Sequence, residues 1–163
     1  MSANVVIRPA VEGDLEALGA LAGSLIRLHH TMDPARFFLP PDVEKGYRGW
    51  LHREIANPVA IVLVAVNDEL PDPVVGYVYG RVEARDWNAL LDRHAALHDI
   101  HVREDVRRRG VARRLLAEFH TVVRARDVPR VVLHTAMANE RAQGLFKALG
   151  YRPTMIEMTC DEP

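Results

Sequence analysis

Apolar residues recur along the chain with two different periods, and the change from one to the other marks out the elements. Residues 5–8 form a short β-branched run closed by Pro9, which predicts an opening strand. Leu15, Leu18, Ala22, Leu25 and Ile26 then recur at three- and four-residue spacing. They predict a helix from Asp14, which can cap or charge its first turn, to about His29. Residues 32–41 carry Pro34, Pro40 and Pro41 around Phe37 and Phe38, and read as an irregular apolar connector or lid. A second helix is expected over residues 43–56, ended by Asn57-Pro58 because proline disfavours helical geometry in the residue before it. Residues 59–66 and 74–82 are apolar runs separated by a segment with Asn67, Asp68 and two prolines, which predicts an antiparallel hairpin.

Residues 86–96 show no clear period and read as a loop or short helical piece, after which the pattern is more regular. Residues 97–102 predict a strand. Residues 110–126 predict a helix with Val111, Leu115, Phe119, Val122 and Val123 on one stripe, and residues 130–135 another strand. Ala142, Leu145, Phe146 and Leu149 set a last helix over residues 139–149, with Gly150 as its left-handed stop. Residues 151–159 are expected to supply a final strand or two. Hairpins followed by a βαβ crossover predict an α/β fold of the α+β kind, a central mixed β-sheet flanked by helices on both faces. A single domain over residues 1–163 is expected from the length.

Composition narrows the function classes. Hydrophobic residues make up 48%, charged residues 26%, and the net charge is −1, an ordinary mix for a globular chain that favours neither a nucleic acid nor a membrane as partner. The longest apolar run, residues 59–66, is far below the roughly 20 residues of a membrane-spanning helix. The N-terminus Met1-Ser2-Ala3-Asn4 lacks a basic segment followed by an apolar one, and the single cysteine, Cys160, agrees with a reducing compartment. A cytoplasmic location is expected.

The chemistry concentrates where the strand at 97–102 runs through a basic loop into a helix. Five arginines (Arg107, Arg108, Arg109, Arg113 and Arg114) fall within residues 107–114 around Gly110. A helix start presents unpaired amides and the positive end of its dipole, so arginines there are electrostatically out of place unless an anion docks. A solvated charged helix start is the bland alternative. The spacing is neither G-x-G-x-x-G nor G-x-x-x-x-G-K-[ST], which removes support for dinucleotide and Walker-type sites.

Arg107-x-x-Gly110-x-Ala112 after a strand resembles the [Q/R]-x-x-G-x-[G/A] signature of the GNAT superfamily of acetyl-CoA-dependent N-acetyltransferases. Asn139-x-x-Ala142-x-x-Leu145-Phe146-x-x-Leu149-Gly150-Tyr151 is similar to the family's N-x-x-A-x-x-L-Y-x-x-x-G-[F/Y] segment. Ile7-Arg8-x-Ala10 with Asp14 looks like the usual first strand and helix. The resemblance implies a GNAT-like acyl-CoA N-acyltransferase fold with acetyl-CoA as cosubstrate and no metal. It implies that backbone groups of Ile100, His101 and Val102 pair with the pantetheine arm. Arg107, Arg108, Arg109, Gly110, Val111, Ala112 and Arg113 would cradle the pyrophosphate, Asn139 would hold the pantetheine, and Phe146 would sit beside the thioester sulfur. Asn139 is equally explained as a helix cap, and Phe146 as core. Phe146 stands where many members have tyrosine, which removes the side chain usually assigned to protonate the leaving thiolate.

The resemblance makes His98 the candidate general base, because family members often place a carboxylate at this strand position and histidine titrates near neutral pH; Asp99, Glu83 and His101 are the alternatives. His98 and Asp99 face the same side only if a bulge intervenes. The partner expected is a small-molecule or peptide amine, with a homodimer kept open. Two other readings compete: a coenzyme A-binding domain without turnover, and a nucleic-acid-binding module.

Overall fold

The computed structural model describes residues 4–163; Met1, Ser2 and Ala3, on which the reading of the N-terminus rests, lie outside that range. In chain order the elements are β1 (Val6–Pro9), a 3₁₀ turn (Glu12–Asp14), α1 (Leu15–Met32), α2 (Val43–Ile55), β2 (Ala60–Val66) and β3 (Val74–Glu83). Then come β4 (His94–Val102), a second 3₁₀ turn (Glu104–Val106), α3 (Val111–Ala125), β5 (Val131–Leu133) and α4 (Glu140–Ala148). The sheet order is β1-β2-β3-β4-β5; the first four strands are antiparallel neighbours, and β5 runs parallel to β4 after the α3 crossover. The expected mixed sheet is therefore present, with helices on both faces.

β2 shows why its sequence is apolar throughout. Ile61, Leu63 and Ala65 point into one cluster with Leu115, Leu116 and Phe119 of α3, while Val62 and Val64 point into the other with Leu18, Leu21 and Leu51 of α1 and α2. A strand covered on both faces has no polar side to alternate with. Full burial of Leu115, Leu116 and Phe119 contributes about 1.5–3 kcal/mol each. On the other face, α2 lies close on α1 at Gly19, where a Cβ would stand 2.7 Å from Arg48 Cγ and 3.0 Å from the backbone oxygen of Glu44. Arg8 and the buried Asp14 join β1 to the start of α1, with Arg8 donating to both carboxylate oxygens at 2.6 and 2.9 Å.

Two sequence expectations are corrected. Residues 94–96 belong to β4, not to the preceding loop: Ala95 and Ala96 pair with Val82 and Arg81 of β3 and with Val131 and Val132 of β5. Alanine has weak strand propensity, and the two flanking strands override it. The strand expected over residues 151–159 is not formed, and residues 152–160 are exposed without regular structure. Pro153 offers no amide donor, and Met155, Ile156 and Met158 find no core to face. The segment is tethered by an ion pair between Glu157 and Arg36.

Among the described residues no helix is long and apolar enough to cross a membrane.

Candidate active site

The parallel pair at the sheet edge splits. Pairing between β4 and β5 ends at Leu97↔Leu133, while β4 continues to Val102 beside β3 alone. From His98 onward β4 therefore has, among the described residues, no strand on its second side, and backbone groups directed there lack a ladder partner. Ile100 and Val102 direct their side chains into the cluster beneath α3, and His101 is buried, so this edge offers backbone and little else.

The split begins at a β-bulge. Tyr79 pairs with Asp99 and Gly80 with Leu97, which leaves His98 as the extra residue of β4. The consequence is the one that simple alternation forbids: His98 stacks on Tyr79, with ring centroids 5.3 Å apart and planes at 25°, and Asp99 accepts a hydrogen bond from Tyr77 Oη at 3.1 Å. Tyr77 and Tyr79 stand on the α1/α2 face of β3, so His98 and Asp99 share that face. His98 is exposed and Asp99 is buried.

Where β4 ends, the 3₁₀ turn and loop lead to α3. Gly110 has φ +79°, a left-handed geometry that suits glycine, and a Cβ there would meet no atom of the described residues within 4 Å. Arg108 is also left-handed, at φ 62°. The amide of Arg107 donates to Glu104 O and that of Arg114 to Gly110 O. Among the described residues no backbone carbonyl receives the amides of residues 108–113. Arg107 is already engaged, its Nε donating to Val102 O at 2.8 Å. Arg108, Arg109 and Arg113 are exposed and form no ion pair among the described residues. Val111 is core and Ala112 is half-buried, so these two offer amides rather than side chains. Open space above Gly110, free amides and three uncommitted arginines fit a pyrophosphate.

Asn139 caps α4, its Oδ1 accepting from the Ala142 amide at 3.1 Å. Phe146 is buried in the cluster with α3 and lies edge-on to Tyr151 at 5.6 Å.

Charge in this region is unevenly tuned. Burial raises the Asp99 carboxyl to about 6 against the lowering effect of the Tyr77 hydrogen bond. Burial, with the nearby Arg107 and His29, depresses the His101 imidazole to about 4. The covered inner side of His98 lowers its pKa, and Arg81 and His134 act in the same direction, while Glu83 and Glu54 oppose them. Sequence reasoning missed Tyr77, Tyr79 and Glu54. The two tyrosines carry a signal, being two residues apart on an apolar strand and so on one face; Glu54 carries none, since a glutamate near a helix end reads as solvent-facing.

A sheet that opens between its parallel strands, with a glycine-led helix start at the mouth, is suited to laying a phosphate-bearing chain along a strand edge. The sequence matches the acetyltransferase (GNAT) family over residues 25–151, and the chain belongs to that family of acetyl-CoA-dependent acyltransferases. None of the curated proteins matches it. Among solved structures, a tetramutant of the BH1408 protein from Bacillus halodurans superposes with a TM-score of 0.82 at 18% identity, covering 95% of this chain and 98% of that one. An aminoglycoside antibiotic 6′-N-acetyltransferase from Acinetobacter baumannii gives 0.74 at 19%, covering 98% and 99%. An aminoglycoside N-acetyltransferase in complex with CoA gives 0.75 at 18%, covering 98% and 95%. At these identities the likeness is one of fold.

Proposed function

We propose that the protein transfers the acetyl group of acetyl-CoA directly to a primary amine of a small molecule or peptide, with His98 as the general base. The observation that carries this reading is the bulge, which sets an exposed imidazole where β4 parts from β5. Acetyl-CoA supplies the activated acetyl thioester. The β4 edge at Ile100, His101 and Val102 holds its arm through backbone groups. The amides of Arg108, Arg109, Gly110, Val111, Ala112 and Arg113 take the pyrophosphate, with the guanidinium groups adding charge. Arg107, tied to Val102 O, braces the loop against the strand. Asn139 and Phe146 flank the sulfur end.

Only a neutral amine attacks, and an alkyl ammonium resembles lysine, with a pKa of about 10.4, so proton removal is the harder demand on the chain. His98 meets it from the α1/α2 side, where the acceptor enters. Phe146 has no proton to give, and that observation keeps alive a second reading, a coenzyme A-binding domain without turnover. Calorimetry with acetyl-CoA and CoA, followed by thiol release across a panel of amines that includes aminoglycosides, polyamines and peptides, tests both. Binding with amine-dependent thiol release is expected. Binding without release for any amine selects the second reading, and absence of binding removes both.

A further inference from the structure

Glu54 is a buried carboxylate that the proposed reaction leaves unused. It lies one residue before the end of α2 and is 6% exposed, at the end of a helix where the dipole disfavours negative charge. Both its oxygens are engaged: Oε2 accepts from Tyr79 Oη at 2.6 Å and Oε1 from Asn57 Nδ2 at 3.2 Å. Arg81 approaches Oε2 at 3.6 Å and also lies 3.5 Å from Glu83, yet its buried Nε has no hydrogen-bond partner among the described residues, so the ion pair with Glu54 is loose. Packing alone would be better served by an apolar residue here, because a buried, imperfectly paired charge costs stability.

The fully buried Tyr79 links this carboxylate to the proposed base. Its ring carries His98 on one side, and Trp50 braces it edge-on at 5.0 Å, itself braced by Tyr47 at 5.3 Å. The bond to Glu54 pins the hydroxyl end, so the tilt of the surface on which the imidazole stacks is fixed at both ends. We propose that Glu54, acting through Tyr79, is a positioning residue for His98: it orients the imidazole and keeps a negative charge beside it when the ring takes a proton. This rests on the reading of His98 as base. The charged and titratable groups around His98 are Glu54 on α2, Arg81 and Glu83 on β3, Asp99 on its own strand and His134 beyond β5. Glu83 opposes the lowering of the His98 pKa more than Glu54 does, but it is 40% exposed and screened by solvent, whereas Glu54 is held by Tyr79 and Asn57.

The test measures the His98 titration by NMR, assigned with His98→Gln, alongside the pH dependence of kcat and the KM for acetyl-CoA. Glu54→Gln keeps the shape and the Tyr79 contact but removes the charge. His98 is expected to titrate at lower pH, the rising limb of kcat to follow it, and kcat to fall by about tenfold with KM for acetyl-CoA unchanged. Should Glu54→Gln fold poorly, the comparison of Arg81→Gln with Glu54→Gln/Arg81→Gln isolates the same charge. There the double variant must titrate below the single one. An unmoved His98 titration overturns the proposal even if activity is lost, because the role is then structural. A moved titration with an unmoved rate profile supports the coupling of Glu54 to His98 and instead sinks His98 as base.

Discussion

At Gly110 the backbone sits at φ +79° with open space where a Cβ would go, so the demand for glycine is conformational and not steric. Gly110→Ala is expected to lower stability by about 1–2 kcal/mol, and Gly110→Asn by less, because asparagine visits this region more readily. Both should weaken acetyl-CoA binding by placing atoms before the free amides of α3; a thermal melt and calorimetry on the same preparations separate the two effects. His98 and Phe146 give a second contrast. Coenzyme A is a thiol with a pKa near that of cysteine, about 8.5, so its thiolate leaves tolerably without an acid. His98→Ala should therefore lower kcat by about 10²-fold or more, and Phe146→Tyr should change it by less than about tenfold. The wild-type rate should rise with pH through an apparent pKa below the ordinary histidine value, since the covered side of His98 depresses it. His98→Ala should remove that limb; an unchanged profile would pass the role to Asp99, Glu83 or water.

Among the elements, the contact of α3 with the sheet is set by a missing side chain. A Cβ at Gly80 would stand 2.6 Å from both Ala96 O and Phe119 Cζ, so α3 lies as close to β3 as a glycine allows. Gly80→Ala should destabilise by about 1–3 kcal/mol through overpacking, and Phe119→Leu should recover part of the loss. Gly144, inside α4, has no atom of the described residues within 4 Å of its would-be Cβ, so Gly144→Ala should stabilise by about 0.5–1 kcal/mol. Denaturant unfolding of the pair checks both signs. The close approach at Gly80 adjoins the register shift at which His98 is extruded, so Gly80→Ala should also lower kcat, whereas Gly144→Ala should not.

For the whole molecule, two buried groups on one strand tilt the pH dependence of stability in opposite directions. Asp99 is raised from 3.8 to about 6, so the folded state holds its proton more tightly. Its contribution is fully present below the unfolded value and lost as pH rises through about 6. His101 is lowered from 6.5 to about 4, so its contribution is present above 6.5 and lost as pH falls through about 4. Between about pH 4 and 6 the two slopes oppose each other. Asp99→Asn should make stability rise more steeply with pH across that window and add up to about 3 kcal/mol at neutral pH. His101→Asn should make stability fall with pH instead. Urea midpoints at pH 4, 5, 6 and 7 for the three proteins read this directly, and parallel curves would show that neither group is perturbed.

The sequence by itself determined the parts whose physics is local. Leu15, Leu18 and Ala22 give α1 by their spacing, Asn57-Pro58 bounds α2, and Val111, Leu115 and Phe119 give α3, because a helix reports its buried stripe at a fixed period. The basic loop, Gly110 and the helix behind it were legible for the same reason, as neighbours in sequence that remain neighbours in space. What the tertiary structure decided depends on partners far along the chain. The bulge at His98 arises from the register of β4 against β3, the start of β4 at His94 from pairing on both sides, and the burial of Glu54 from Tyr79, 25 residues away. The missing strand after Tyr151 makes the same point in reverse. A β-strand exists only where another offers it hydrogen bonds, and the sequence of one segment cannot say whether that neighbour is there.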